Sequence, residues 1–176
     1  VAQVAATVDL AATATAAAER MRRVVEAAHI LGCSAAAVRI TGEDTDEVLA
    51  AVAQRLKPVV DRAEKLDLNL LVSPGPGLTS RPERVTELLK KIGGFRIGTF
   101  PDFQTASGAK DPAAYLHRIT PYATVVSAST MKLVSQGSRK ARKGGAPPPE
   151  EFTHEPYDLK LMVNAIAAVG YDGPLA

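Results

Sequence analysis

Between Phe95 and Lys132 the chain reads as a β-prone run, a polar loop carrying Asp102, a short helix opened by Asp111-Pro112, and a second β-prone run. Phe95-Arg96-Ile97-Gly98-Thr99-Phe100 and Tyr122-Ala123-Thr124-Val125-Val126 are rich in β-branched and aromatic residues, and Pro112 suits the first turn of a helix. Two strands separated by a helix run parallel, because an antiparallel return needs only a tight turn. The succession therefore demands a parallel sheet, and parallel sheets carry their chemistry on the loops at the carboxyl ends of their strands. Asp102 and Ser127 fall at two such ends.

The same alternation extends through the chain. Residues 3 to 8 form a short candidate strand, followed by an Ala-rich stretch in which Met21, Val24, Val25, Ala28 and Leu31 fall at helical spacing before Gly32. A strand over 36–40 leads into the loop Thr41 to Asp44. Thr45 or Asp44 then caps a helix with an apolar stripe of Val48, Leu49, Val52, Leu56, Val59, Val60 and Ala63, kinked at Pro58. Asn69 to Val72 is a buried strand, and Ser73-Pro74-Gly75-Pro76-Gly77 a turn-rich loop. Ser80 and Glu83 read as a capping box for a helix burying Val85, Leu88, Leu89 and Ile92. After the Phe95 to Lys132 unit, a long basic and Pro-rich loop over 135–156 precedes a helix from about Tyr157 to Val169.

Two folds accept this order. A doubly wound open sheet usually announces itself with Gly-x-Gly-x-x-Gly after a strand, which this chain lacks. A (β/α)8 barrel needs eight units and about 250 residues. The 176 residues hold about five to six units, so the expectation is an α/β chain forming the central and C-terminal part of an incomplete TIM barrel, as one domain over 1–176. The absent initiator methionine, and a further strand beginning at Gly173-Pro174-Leu175-Ala176, suggest a piece of a longer polypeptide.

Composition narrows the function classes. With 21 basic and 19 acidic residues the net charge is +2, which gives little general attraction for nucleic acid or membrane surfaces. No apolar run reaches the roughly 20 residues that span a bilayer, and the start lacks the basic end of a signal peptide, so a cytoplasmic location is the default. The single cysteine, Cys33, excludes an internal disulfide and a multi-cysteine zinc site.

Several stretches, in order, carry a family resemblance. They are Ala27-Ala28-His29-Ile30-Leu31-Gly32-Cys33 leading to Val38-Arg39-Ile40-Thr41-Gly42; Leu56 to Glu64; Ile97-Gly98-Thr99-Phe100-Pro101-Asp102-Phe103; Asp111 to Leu116 with Thr120-Pro121-Tyr122-Ala123; and Ala168-Val169-Gly170-Tyr171-Asp172-Gly173. The chain resembles the xylose isomerase-like sugar phosphate isomerase/epimerase barrels. That resemblance implies a sugar or sugar phosphate substrate and a divalent ion (Mn, Mg, Zn or Co). The ion is held by a glutamate, an aspartate and a histidine or glutamine ending successive strands, and by a final glutamate. The metal polarises the substrate's oxygens while the two glutamates move a proton between adjacent carbons.

Carried over position by position, the first glutamate falls at Val72 or Ser73, the aspartate at Asp102, the histidine or glutamine at Ser127, and the last glutamate beyond Ala176. A lysine common in the last of these strands falls near Ser129, with Lys132 three residues on. One carboxylate and two hydroxyls are a poor cage for a hard cation, so the metal centre is incomplete in this chain.

The candidate site residues follow. Asp102 is assigned to metal or substrate and, with Lys132, to catalysis. Arg39, Ser73, Gln104, Ser127 and Ser129 are assigned to substrate binding, Arg39 through hydroxyls, or a phosphate that its planar fork suits. Plainer roles stand beside these: a turn carboxylate for Asp102, an ion pair to Glu43 or Asp9 for Arg39, and solvated loop serines. His29 and His117 read as surface residues, and His154, in the long loop with Glu150, Glu151 and Glu155, as part of an extended connector or as a contact to metal or substrate. Ser138 to Gly145 packs four basic residues into five positions, as a solvated loop, a phosphate-capture loop or a salt-sensitive nucleic-acid tether. The alternative to an isomerase or epimerase is a non-catalytic barrel of the same descent that binds a sugar or a protein. Oligomerisation is compatible with either.

Overall fold

The structure is a computed structural model that describes the backbone of residues 3–9, 14–135 and 152–176, with side chains described over 16–131 and 153–176. Four parallel strands, β1 (Gln3–Asp9), β2 (Ala35–Thr41), β3 (Asn69–Ser73) and β4 (Ile97–Thr99), stand in sequence order. Between them run helices α1 (Ala14–Ile30), α2 (Asp46–Lys65) and α3 (Pro82–Ile92). Neighbouring strands that are also consecutive in sequence, all parallel, are the arrangement of a barrel wall rather than of a sheet wound both ways from a switch point.

The wall continues past β4 by single bridges. Thr99 pairs with Ala123, Asp102 with Ser127 and Val126 with Leu175, all parallel, so segments 123–127 and 174–176 occupy the next two strand positions. The second is tied by Val126 N to Pro174 O at 3.2 Å and Ala176 N to Val126 O at 2.9 Å. The strands expected over Tyr122 to Val126 and at Gly173–Ala176 thus contribute only isolated pairings.

Alternation along each strand separates two cores. Ala36, Val38, Ile40, Leu70 and Val72 face the helices, where they pack with Met21, Val25, Leu49, Leu56, Val60, Leu88, Leu116 and Phe103 in one buried cluster. Ala35, Ala37 and Leu71 form a second, small cluster with Phe100 on the other face, the inside of the curved wall. Burial of each large aliphatic residue stabilises by about 1.5–3 kcal/mol, so the sheet–helix layer carries most of the stability.

Most predicted stripes are in place: α3 buries Val85, Leu88, Leu89 and Ile92, and α2 buries every predicted position except the half-buried Val48. α2 runs through Pro58 as one helix. Leu31 is 67 % exposed because the helix has already ended, with Cys33 N bonded back to Ala28 O. Phe95 is 98 % exposed and lies before β4, which is shorter than its β-prone run.

Three expectations are corrected. The Ser80/Glu83 capping box does not form: the N-cap of α3 is Arg81, held extended by Pro82, and Ser80 instead closes a 3-10 turn over Gly77–Thr79. An unforeseen helix, α4 (Phe103–Ser107), follows Asp102 directly, ahead of the expected α5 (Pro112–Ile119) capped by Asp111. Lastly, the loop expected over 135–156 ends in a strand. β5 (Met131–Ser135) and β6 (Phe152–Pro156) pair antiparallel, Met131 opposite Pro156, and α6 (Leu159–Ala168) then starts from Asp158. The Pro residues before Phe152 pointed to an extended connector, and an extended chain is what a ladder partner can capture. The Ser138 to Gly145 basic segment lies outside the described residues.

Candidate substrate-binding rim

The carboxyl ends of β2, β3, β4 and segment 123–127 form one rim, and strand register decides which side chains stand next to each other there. Arg39 pairs with Ser73, side by side on adjacent strands. Arg39 shares the inward parity of Ala35 and Ala37, yet is exposed where they are buried, because it stands at the end of its strand. Asp102 pairs with Ser127 in the same sense, with Phe103 N donating to Ser127 O at 3.0 Å and Ser127 N to Pro101 O at 2.8 Å.

The loop after β3 is latched onto the end of β2 at two successive residues and onto the loop beyond. The Thr79 hydroxyl donates to Ile40 O at 3.3 Å, Leu78 N donates to Gly42 O at 2.9 Å, and the aliphatic stem of Arg39 lies against Gly75. Farther out, Arg81 and Arg84 both bind Asp44, at 2.6 and 2.5 Å, while Arg84 also reaches Asp46 and Glu87, each at 2.8 Å. These bonds hold the Asp44 carboxyl below the ordinary aspartate range, the Arg84 hydrogen bond contributing most and Arg81 next, and hold the Arg84 guanidinium above its own. Asp44 is thereby a tie between loops, and Thr45 caps α2 by accepting from Val48 N at 3.2 Å.

Asp102 is half-buried and is the N-cap of α4. Its Oδ2 accepts from Thr105 N at 2.7 Å and from the Thr105 hydroxyl at 2.8 Å. Beyond it, Ser127 and Ser129 are half-buried, and the Tyr157 hydroxyl donates to Ser129 O. Burial, and secondarily the Asp102 charge, raise the Tyr157 phenol above its ordinary range, as they do for Tyr115 behind α4. Sequence reasoning missed Tyr157: it was assigned to the start of a helix, and only β6 carries it back to the rim.

The predicted set therefore stands as two neighbouring pairs, Arg39 with Ser73 and Asp102 with Ser127, with Ser129 following Ser127. Half-buried Gln104 lies in α4, where its backbone carbonyl accepts from the Ser107 hydroxyl at 2.7 Å. Lys132 lies in β5 opposite Glu155, and its side chain is outside the described residues. Among the described residues Arg39 has no ion pair, so the alternative pairing with Glu43 does not occur, while the side chain of Asp9, the other partner considered, lies outside the described residues. His29, His117 and His154 are exposed.

These residues do not fit a divalent-metal centre. Among the described residues, no group of three or more His, Cys, Asp or Glu could share an ion. Val72 is fully buried on the helix side, Ser73 and Ser127 supply neutral oxygens, and one oxygen of the lone carboxylate is already bonded twice to Thr105. A hard cation wants several oxygen ligands, usually with more than one carboxylate, and the predicted set supplies one.

No protein-family model and no curated protein matches the sequence. Solved structures do. An L-ribulose 3-epimerase aligns with a TM-score of 0.73 at 13% identity over 98% of this chain and 60% of its own. A D-tagatose 3-epimerase-like protein aligns with 0.71 at 17% identity over 98% and 69%. A xylose isomerase domain protein from Planctomyces limnophilus aligns with 0.70 at 15% identity over 96% and 60%. The fold is that of the xylose isomerase-like TIM barrels, and this chain spans about 60% of the length of the first structures it matches. Among the described residues no helix is long and apolar enough to cross a membrane.

Proposed function

We propose that the rim formed by Arg39, Ser73, Asp102 and Ser127 binds a small sugar or sugar phosphate, and that these residues contribute recognition rather than metal-assisted proton transfer. The observation that carries this reading is register: Arg39 beside Ser73 and Asp102 beside Ser127, each at the carboxyl end of its strand. That end of a parallel barrel is where ligands bind, and a polyol needs several spaced donors and acceptors there. Ser73 and Ser127 offer hydroxyls, Arg39 offers donors, and Asp102 has a second carboxylate oxygen beyond the one that caps α4. The barrel fold, shared with proteins described as sugar epimerases, supports a carbohydrate over other ligands of the same size.

A second reading, isomerisation or epimerisation of the bound sugar, draws on the same fold. It needs a base and an acid on opposite sides of a carbon, and Asp102 with Lys132 are the residues of this chain to fill those roles. One experiment separates the two. The protein is titrated calorimetrically with ketoses, aldoses and their phosphates, and each ligand that binds is incubated with it in D2O and followed by NMR. Saturable binding without incorporation of deuterium at carbon supports the recognition reading. Deuterium incorporation lost on Asp102→Ala or Lys132→Met establishes the second, and no binding by any sugar removes both.

A further inference from the structure

We propose that Arg39 is a pre-positioned clamp for an anionic group on the ligand, a carboxylate or a phosphate, and that Gly75 is the residue that positions it. The proposal rests on the carbohydrate reading for the neutral part of the ligand; the anion site itself is argued from the rim alone.

Three observations converge on Arg39. It is exposed on the inner face at the end of β2, between Val38 and Ile40, which are buried in the sheet–helix core and fix the backbone on either side. Among the described residues it donates no hydrogen bond and pairs with no carboxylate, whereas Arg22, Arg62, Arg81, Arg84, Arg96 and Arg118 each meet one. Its stem also lies against the loop after β3. A Cβ placed on Gly75 would meet Arg39 Cγ at 3.0 Å and Cδ at 3.2 Å, so the loop backbone passes against the side chain at a distance that only glycine allows without displacement.

The loop cannot easily retreat. Gly75 N donates weakly to Thr79 O at 3.4 Å, Thr79 is bonded to Ile40 O, and Leu78 N to Gly42 O, so the loop that presses on Arg39 is fastened to the strand that carries it. A guanidinium whose stem is already ordered loses less rotamer freedom on binding than a free one, and its fork matches carboxylate and phosphate oxygens two at a time. Ser73, its register neighbour, adds a hydroxyl donor at the same rim. The charges facing the site from the adjoining loop are Glu43, exposed, and Asp44, already neutralised by Arg81 and Arg84. Asp44 is thus already satisfied, and among the described residues at this rim Arg39 is a cation without a carboxylate partner.

The test uses the chain as it stands, titrated with inorganic phosphate and followed by calorimetry. A hexuronic acid, a hexose phosphate and the neutral hexose are then compared as ligands. Saturable phosphate binding is expected, weakened at least about tenfold in Arg39→Gln, the size of a lost charge-assisted hydrogen bond. Arg39→Lys, which keeps the charge and loses the fork, should also weaken it. Gly75→Ala should weaken it by about threefold to tenfold with the arginine intact, because the added methyl displaces the stem; its melting temperature reports whether the loop still folds. An acid or phosphate should bind more tightly than the neutral hexose, and whichever of the two is preferred identifies the anion.

Phosphate binding unchanged in Arg39→Gln, or abolished instead by Arg139→Gln with Lys140→Gln, overturns the clamp. Arg39-dependent phosphate binding that no sugar derivative shares would leave the clamp standing and remove the carbohydrate reading. Sugars that bind equally well to Arg39→Gln, with no gain from an acid or phosphate group, would do the reverse.

Discussion

One oxygen of Asp102, Oδ2, accepts from both the backbone amide and the hydroxyl of Thr105, at 2.7 and 2.8 Å, so the rim's acid is also the start of α4. Removing an N-cap acceptor costs about 1 kcal/mol, and an uncharged acceptor of the same shape retains most of that. Asp102→Ala should therefore lower the unfolding free energy by about 1 kcal/mol while Asp102→Asn changes it little, measured by urea denaturation. Added millimolar Mg or Mn should leave the melting temperature of the protein unchanged. A rise with metal that Asp102→Ala abolishes would assign the carboxylate to a metal after all.

Gly77 holds the loop to β2 through its backbone conformation. Its φ is +79°, and a Cβ there would stand 2.0 Å from Gly42 O. No side-chain rotation relieves a clash with a carbonyl oxygen, so Gly77→Ala should destabilise by about 3 kcal/mol or more and detach the loop from Gly42. Chemical denaturation measures the loss. A variant as stable as the parent would show that the loop is not anchored there.

The ties between the β2 loop and α3 make stability depend on pH in a stated direction. Asp44 has its carboxyl lowered in the folded protein, chiefly by Arg84 and then Arg81. A depressed acid contributes stability above its unfolded value of about 3.9, and that contribution is lost as pH falls below it. Melting temperatures measured between neutral pH and pH 2 should fall most steeply below about 4, and Arg84→Met should flatten that fall. An identical acid profile in the variant would contradict the role given to Arg84.

Tyr115 is 7 % exposed, and among the described residues its hydroxyl has no hydrogen-bond partner. Burial, reinforced by the Asp102 charge, raises its phenol above the ordinary tyrosine range. A raised pKa contributes stability below the unfolded value of about 10 that disappears as pH climbs through the folded one. Tyr115→Phe removes an unpaired buried group and should be neutral or stabilising by up to about 1 kcal/mol, with a shallower stability loss above pH 10. A destabilised Tyr115→Phe would mean that the hydroxyl has a partner in solution.

How much was legible depended on the range of the interaction. Val85, Leu88, Leu89 and Ile92 declare one face of α3 by spacing alone, and Asp111-Pro112 marks the start of α5, because helical periodicity and capping are set within a few residues. The capping box at Ser80 failed by the same locality: Pro82 one position after Arg81 outweighed it. The β5–β6 hairpin was not legible, since its strands lie on opposite sides of a long insertion and neither shows its partner.

The alternation of β1 to β4 with α1 to α3, the buried faces of α2 and α3 and the parallel sense of the sheet were determined by the chain itself, through side-chain period and the length of the crossovers. Only the tertiary structure decided what meets at the rim. Register set Arg39 beside Ser73, the latched loop pressed Gly75 onto Arg39, and α4 took up one oxygen of Asp102. Those are contacts between residues distant in sequence, or a choice between competing partners for one carboxylate. Both turn on distances that no local pattern encodes.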